Sequence, residues 1–192
     1  MMKKILFAMI ASVTAVAGMS AAHADGAYVG GGVTVNRYNF DVPGATSAGN
    51  HSGYQAGGKI YAGYDIDKTW AVEGGYADFG SKDYNYITSA GSGSVKSDSH
   101  GYYLAGKATM PVSDKLGVFG KLGVARVNTG LTGTGLSTGI TGDNKTGVYA
   151  SVGAQYAINE KVSLTAELEH FGKSADQGNK ATGLALGARY NF

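Results

Sequence analysis

Four histidines and no cysteine make up the chain's supply of imidazole and thiol groups. The missing cysteine removes disulfides, thiolate metal centres and a thiol nucleophile together. His23 sits in an apolar N-terminal leader, His51 and His100 at the ends of predicted connections, and His170 at the end of a predicted strand. A metal centre needs two or three such groups converging with carboxylates, and no ligand-like spacing links these. A serine nucleophile needs a base within hydrogen-bond reach. His170 is followed by Phe171 and Gly172, while His51 abuts Ser52 in a Gly-rich connection. Gly30-Gly31-Gly32 lies inside an alternating strand without the following helix a phosphate loop requires. These residues predict no catalysis, no metal and no cofactor.

A second set of groups invites a different chemistry. Lys59, Glu73, Lys107, Lys121, Glu167 and Arg189 all stand within segments whose alternate positions are apolar. Enclosed opposite charges pair with one another, and an eight-strand barrel is just wide enough for side chains to fill it. On a soluble sandwich the same charges would face water, and the apolar face would be the bulky, interdigitated core. The choice between the two rests on the elements that carry the charges.

Eight segments alternate with the period of a strand. The first places Ala27, Val29, Gly31, Val33 and Val35 on one face. In the second, Tyr54, Ala56, Gly58, Ile60, Ala62 and Tyr64 oppose Gln55, Lys59 and Tyr61. The third sets Trp70, Val72, Gly74 and Tyr76 against Ala71, Glu73 and Gly75, and the fourth sets Tyr102, Leu104, Gly106, Ala108 and Met110 against Tyr103, Ala105 and Lys107. In the fifth, Val118, Leu122 and Val124 oppose Phe119, Lys121 and Gly123. The sixth carries Val148 to Tyr156 on even positions over Ser151 and Gln155, and the seventh Val162 to Leu168 over Ser163, Thr165 and Glu167. The eighth puts Leu184, Leu186, Ala188, Tyr190 and Phe192 opposite Arg189 and Asn191. The apolar faces mix Ala and Gly with Leu and Val and gather aromatics near their ends. That composition suits lipid contact bounded by aromatic girdles.

The leader and the overall composition agree. Lys3 and Lys4 precede the apolar run Ile5 to Ala17, and Ala22-His23-Ala24 offers the small-x-small cleavage pattern. Residues 1–24 are therefore expected to be a cleaved signal peptide and 25–192 a single barrel domain, 168 of the 192 residues. Without Lys3 and Lys4 the chain has 14 basic and 14 acidic residues, which argues against nucleic-acid binding. No later apolar stretch approaches the roughly 20 residues of a membrane helix. The 32 glycines far exceed the usual share of about 7%, yet the alternation argues against disorder.

Connections are short at Asp65 to Lys68, Pro111 to Asp114 and Asn159 to Lys161. They are long at Asn39 to Ser52, Gly80 to Ser99, Thr129 to Lys145 and Gly172 to Lys180. Strict alternation of short turns and long loops is the pattern of outer-membrane barrels, with the turns periplasmic. The Gly, Ser and Thr content of Ser89–Ser99 and Thr129–Gly142 predicts mobile loops. The expected fold is an all-β, eight-stranded, antiparallel up-and-down transmembrane β-barrel.

Over nearly its whole mature length the chain resembles the transmembrane domain of the outer membrane protein A family. AGYDIDKTWAVEGGYADFG resembles a strand-turn-strand unit of that family, and AGKATMPVSDKLGVFGKLGVARV its fourth strand, Pro-Val turn and fifth strand. VGAQYAINEKVSLTAELEHF resembles its sixth and seventh strands and GLALGARYNF its terminal strand. The resemblance implies an interior salt-bridged network that blocks or gates a channel, with Glu73, Lys107 and Lys121 at matching positions. Gln155 stands where the family is usually acidic and Thr165 where it is usually basic. Tyr190 and the terminal Phe192 resemble the signal read by the barrel assembly machinery. The chain stops at Phe192, so the peptidoglycan-binding domain of larger members is not expected.

Some barrels of this kind are enzymes. The His-x-Ser-Asn pattern of lipid A deacylases is missing at His170, and Asp25 to Val29 leaves no room for the leading helix of palmitoyl-transferring barrels. The expected role is a structural or surface-interacting barrel of the cell outer membrane, with a small pore as the alternative and a lipid-modifying enzyme third. Expected partners are outer-membrane lipid including lipopolysaccharide, and periplasmic chaperones and the assembly machinery during biogenesis. Loop ligands and oligomeric state stay open.

Overall fold

β-branched and aromatic residues recurring at every second position favour extended backbone, and glycine and short polar residues interrupt it. In the computed structural model these runs become eight strands: β1 (Ala27–Asn39), β2 (Ser52–Asp65), β3 (Trp70–Thr88), β4 (Gly91–Pro111), β5 (Leu116–Gly135), β6 (Asp143–Ala157), β7 (Val162–Phe171) and β8 (Gly178–Asn191). The structure describes residues 26–39, 52–88, 91–135, 143–172 and 178–192. The predicted signal peptide with Ala22 and Ala24, and His51, lie outside them. Each strand pairs antiparallel with its chain neighbour, and β8 returns to pair with β1, closing the barrel.

The two faces are inverted relative to a water-soluble domain. Glu73 and Lys107 are each 1% exposed, whereas Leu122 is 67% and Ile60 61% exposed. Along β7 the buried residues are Ser163, Thr165, Glu167, Glu169 and Phe171, with Leu164 and Leu168 exposed between them. A sandwich would bury the leucines. All eight predicted faces appear in the expected sense, including that of β5, where Phe119 turns inward at 3% exposure.

One backbone pattern makes all three short turns. Ile66, Val112 and Ile158 each donate their N–H to the carbonyl four residues on, at 2.8, 2.8 and 2.9 Å. Asp67, Ser113 and Asn159 follow, and their side-chain oxygens accept backbone N–H groups closing the turn, from Trp70 at 2.7 Å, Leu116 at 3.1 Å and Val162 at 2.8 Å. Short polar side chains suit that place because they reach a backbone donor two or three residues ahead.

At the other end, two of the expected loops are largely strand. β3 continues to Thr88 and β4 begins at Gly91, paired from Ser81↔Asp98 to Thr88↔Gly91. β5 runs on to Gly135 against β4, with Gly93↔Gly135 the last pair. Gly, Ser and Thr read locally as loop, but a ladder already in register extends with one hydrogen-bonded pair after another. The β3–β4 ladder bulges between Asp78 and Ser81, just past the last β2–β3 pair at Gly58↔Asp78, and there Gly80 adopts φ +78° and donates to Asp78 Oδ1 at 2.7 Å. That left-handed backbone favours glycine.

Candidate functional site in the barrel interior

Inward positions of all eight strands contribute to one connected set of polar and aromatic groups. Glu73 on β3 lies at its centre. Its Oε1 accepts from Lys121 Nζ at 2.7 Å and from Tyr103 Oη at 2.5 Å, and its Oε2 accepts from Tyr28 Oη at 3.0 Å. Lys121 also reaches Glu167 Oε2 at 2.8 Å. Glu167 in turn accepts from Lys59 Nζ at 2.5 Å and Ser151 Oγ at 3.2 Å. Lys59 donates as well to Glu169, which takes the Tyr149 hydroxyl at 2.5 Å. A buried charge is tolerated only when paired and hydrogen-bonded, and each of these carboxylates has at least two donors.

Toward the turns, Arg189 lies 3.6 Å from the Tyr28 ring centre, pairs with half-exposed Asp65 and donates to Asn191 at 2.7 Å. Toward the other end the aromatics take over. Tyr103 and Tyr149 stack at 4.2 Å, and Phe171 packs edge-on against Tyr149 at 4.9 Å and Phe79 at 5.0 Å. The interior is thus filled from the Arg189–Asp65 pair up to the phenylalanines.

All six predicted interior charges face inward. Lys107 and Glu73 are not ion-paired with each other, however. Lys107 donates to Gln155 Oε1 at 3.0 Å and lies 4.4 Å from the Phe119 ring centre. It sits directly across from Lys121 in the ladder. Like charges placed so repel, and the two ammonium groups diverge to separate partners. Gln155, neutral where the resemblance implies an acid, serves as a carbonyl acceptor, and Thr165 is hydrogen-bonded with Tyr61.

Glu169, Asp65, Tyr28, Tyr149 and Phe79 belong to the set and were not foreseen. Glu169 had a signal, since it is two residues past Glu167 and so on the same face. Asp65 had none, because a turn acid ordinarily faces water.

The two histidines among the described residues, His100 and His170, stay apart from this chemistry. His100 Nε2 lies 3.2 Å from Asn128 Nδ2 among Tyr76 and Tyr102 on the outer face, and His170 Nδ1 lies 2.9 Å from Thr182 Oγ1. Among the described residues no three metal-ligating side chains converge.

Comparison with known proteins places this architecture. The model of the outer membrane protein β-barrel domain matches residues 5–192. The chain belongs to that family. It is 29% identical over 151 residues to outer membrane protein A of Serratia marcescens, covering 72% of this chain and 40% of that protein's length. Among solved structures it resembles the attachment invasion locus protein Ail of Yersinia pestis, with TM-score 0.56 and 17% identity over 88% of this chain and 100% of that one. It also resembles the N-terminal barrel of OprF from Pseudomonas aeruginosa, with TM-score 0.50 and 14% identity over 88% and 98% of the two chains. Membership of the family locates this barrel in the outer membrane.

Proposed function

We propose that this barrel is a structural, surface-facing element of the outer membrane whose interior is closed to bulk flow. One observation carries the reading. Lys59, Lys107, Lys121 and Arg189 share the interior with Glu73, Glu167, Glu169 and, at its mouth, Asp65, so charge balances and aromatic rings fill the remaining width. Passage of a hydrated ion would require several of these pairs to part, and removing one partner of a buried pair costs about 3–5 kcal/mol. Catalysis is no part of the reading.

Short turns toward the periplasm put the extended β3–β4 and β4–β5 ladders outside the cell, where they meet lipopolysaccharide and other surfaces. Ala22 and Ala24 would direct removal of the signal peptide in the periplasm. There Tyr190 and Phe192, packed edge-on at 5.4 Å, would present the last strand to the assembly machinery.

Conductance across planar bilayers tests the closed interior. The natural chain should give at most rare, small openings, and Lys121→Ala, which strips a donor from Glu73 and Glu167, should open more often and wider. Large, stable openings of the unaltered protein would make it a pore and refute the proposal.

A further inference from the structure

The three turns carry a feature their geometry does not demand. The residue that opens each turn is a β-branched aliphatic, Ile66, Val112 or Ile158, exposed by 64%, 57% and 51%. Turn positions ordinarily hold Gly, Pro, Asn, Asp or Ser. The hydrogen bonds that close these turns use backbone N–H groups and the next residue's side chain, so the aliphatic group contributes nothing to the turn itself.

Parity explains where the three side chains belong. Ile60, Ala62 and Tyr64 face outward along β2, and Ile66 is the next even position. Val112 likewise continues Leu104 and Met110 beyond β4, and Ile158 continues Val152 and Tyr156 beyond β6. The lipid-facing stripe therefore runs past the strand end and past the girdle residues Tyr64, Trp70, Tyr156 and Tyr190. Tyr54 and Tyr64, ten positions apart on β2, bracket about 25 Å of height at about 3.3 Å per residue and a tilt of about 40°, the full apolar band of such a barrel. Ile66 lies one outward step beyond it.

Charge completes the pattern. Lys68, Lys115 and Lys161 follow within three residues of the aliphatic group, all exposed, beside the acids Asp114 and Glu160. Lys161 Nζ lies 5.8 Å from the Tyr190 ring centre, so this ammonium lies along the barrel wall. An aliphatic tip flanked by both signs of charge is complementary to a layer of phosphate and ammonium groups over acyl chains.

We infer that the three turns form a lipid-binding collar. Ile66, Val112 and Ile158 sit in the interfacial layer of the periplasmic leaflet, and their neighbouring lysines meet the phosphates of its phospholipids. The turns are thus part of the membrane anchor rather than aqueous connectors. This rests on the membrane-spanning orientation given above, with the turns toward the periplasm.

The chain has no cysteine, so single-site labels are unambiguous. Ile66→Cys, Val112→Cys and Ile158→Cys would each be labelled with an environment-sensitive fluorophore, and the same fluorophore coupled to N-acetylcysteine in the buffer would be the aqueous reference. The full-length barrels, extracted from membranes, would be reconstituted in vesicles of phosphatidylethanolamine and phosphatidylglycerol. At the three aliphatic positions, quenching by aqueous iodide should fall at least fivefold below the aqueous reference, with strong quenching by nitroxide carried on the lipid glycerol region. Iodide quenching equal to the reference at all three sites overturns the collar. Probes open to iodide in vesicles but shielded in intact envelopes would assign the tips to a periplasmic protein and overturn it too. A barrel that migrates as folded on unheated gels while its turns prove aqueous would refute the collar and leave the barrel reading standing.

Discussion

Asp67 shows how much a single turn residue can carry. Its Oδ1 accepts the backbone N–H groups of Thr69 and Trp70, each at 2.7 Å, and these hold the carboxyl below its usual range. A carboxyl depressed in the folded state stabilises fully above its unfolded value, about 3.9, and that contribution fades as pH falls through the folded value. Asn159 holds the equivalent turn with a neutral amide. Asp67→Asn should therefore keep the turn but lose its acid dependence. Urea midpoints of the two proteins should differ most at neutral pH and converge as the pH falls through the folded value, whereas a difference independent of pH would contradict the assignment. The polar residue that follows Ile66, Val112 or Ile158 in each turn was legible from turn chemistry. The specific pairings inside were not: Lys107 with Gln155 and Lys121 with two glutamates follow from side-chain reach across the barrel, which no local pattern encodes.

Strand register explains where the glycines go. Each large interior tyrosine lies directly across from one: Tyr28 from Gly63, Tyr61 from Gly30, Tyr103 from Gly75 and Tyr149 from Gly123. A methyl group on Gly75 would stand 2.5 Å from Tyr103 Cε1 and 2.7 Å from its hydroxyl, the group that donates to Glu73. Overpacking of this kind costs about 1–3 kcal/mol. Gly75→Ala should thus lower the unfolding midpoint clearly, while Gly106→Ala, whose added carbon meets nothing nearer than 3.9 Å on the outer face, should stay within about 0.5 kcal/mol. Equal effects would show that the tyrosines are not seated on glycine. Alternation alone located the membrane part of each strand and the inward sense of Lys59, Glu73, Lys107, Lys121, Glu167 and Arg189. It stopped short at the far end of β3, β4 and β5, because Gly, Ser and Thr signal loops locally whereas the ladder there is held by strands distant in sequence.

For the whole molecule, the central physical fact is the exchange of inside and outside. Charges lie within and aliphatic groups without, an arrangement stable only where the surroundings are hydrocarbon and the backbone ladder has no open edge. The even distribution of short and long connections made that architecture readable, and the family match agrees with it. The chain's single tryptophan, Trp70, stands 56% exposed in the girdle at the turn end. Its fluorescence in lipid vesicles is the most direct test. Emission should be blue-shifted, quenched strongly by bromine placed on the upper acyl chain and weakly by aqueous acrylamide. Red-shifted emission, open to acrylamide and indifferent to brominated lipid, would contradict the lipid-facing exterior on which the account depends.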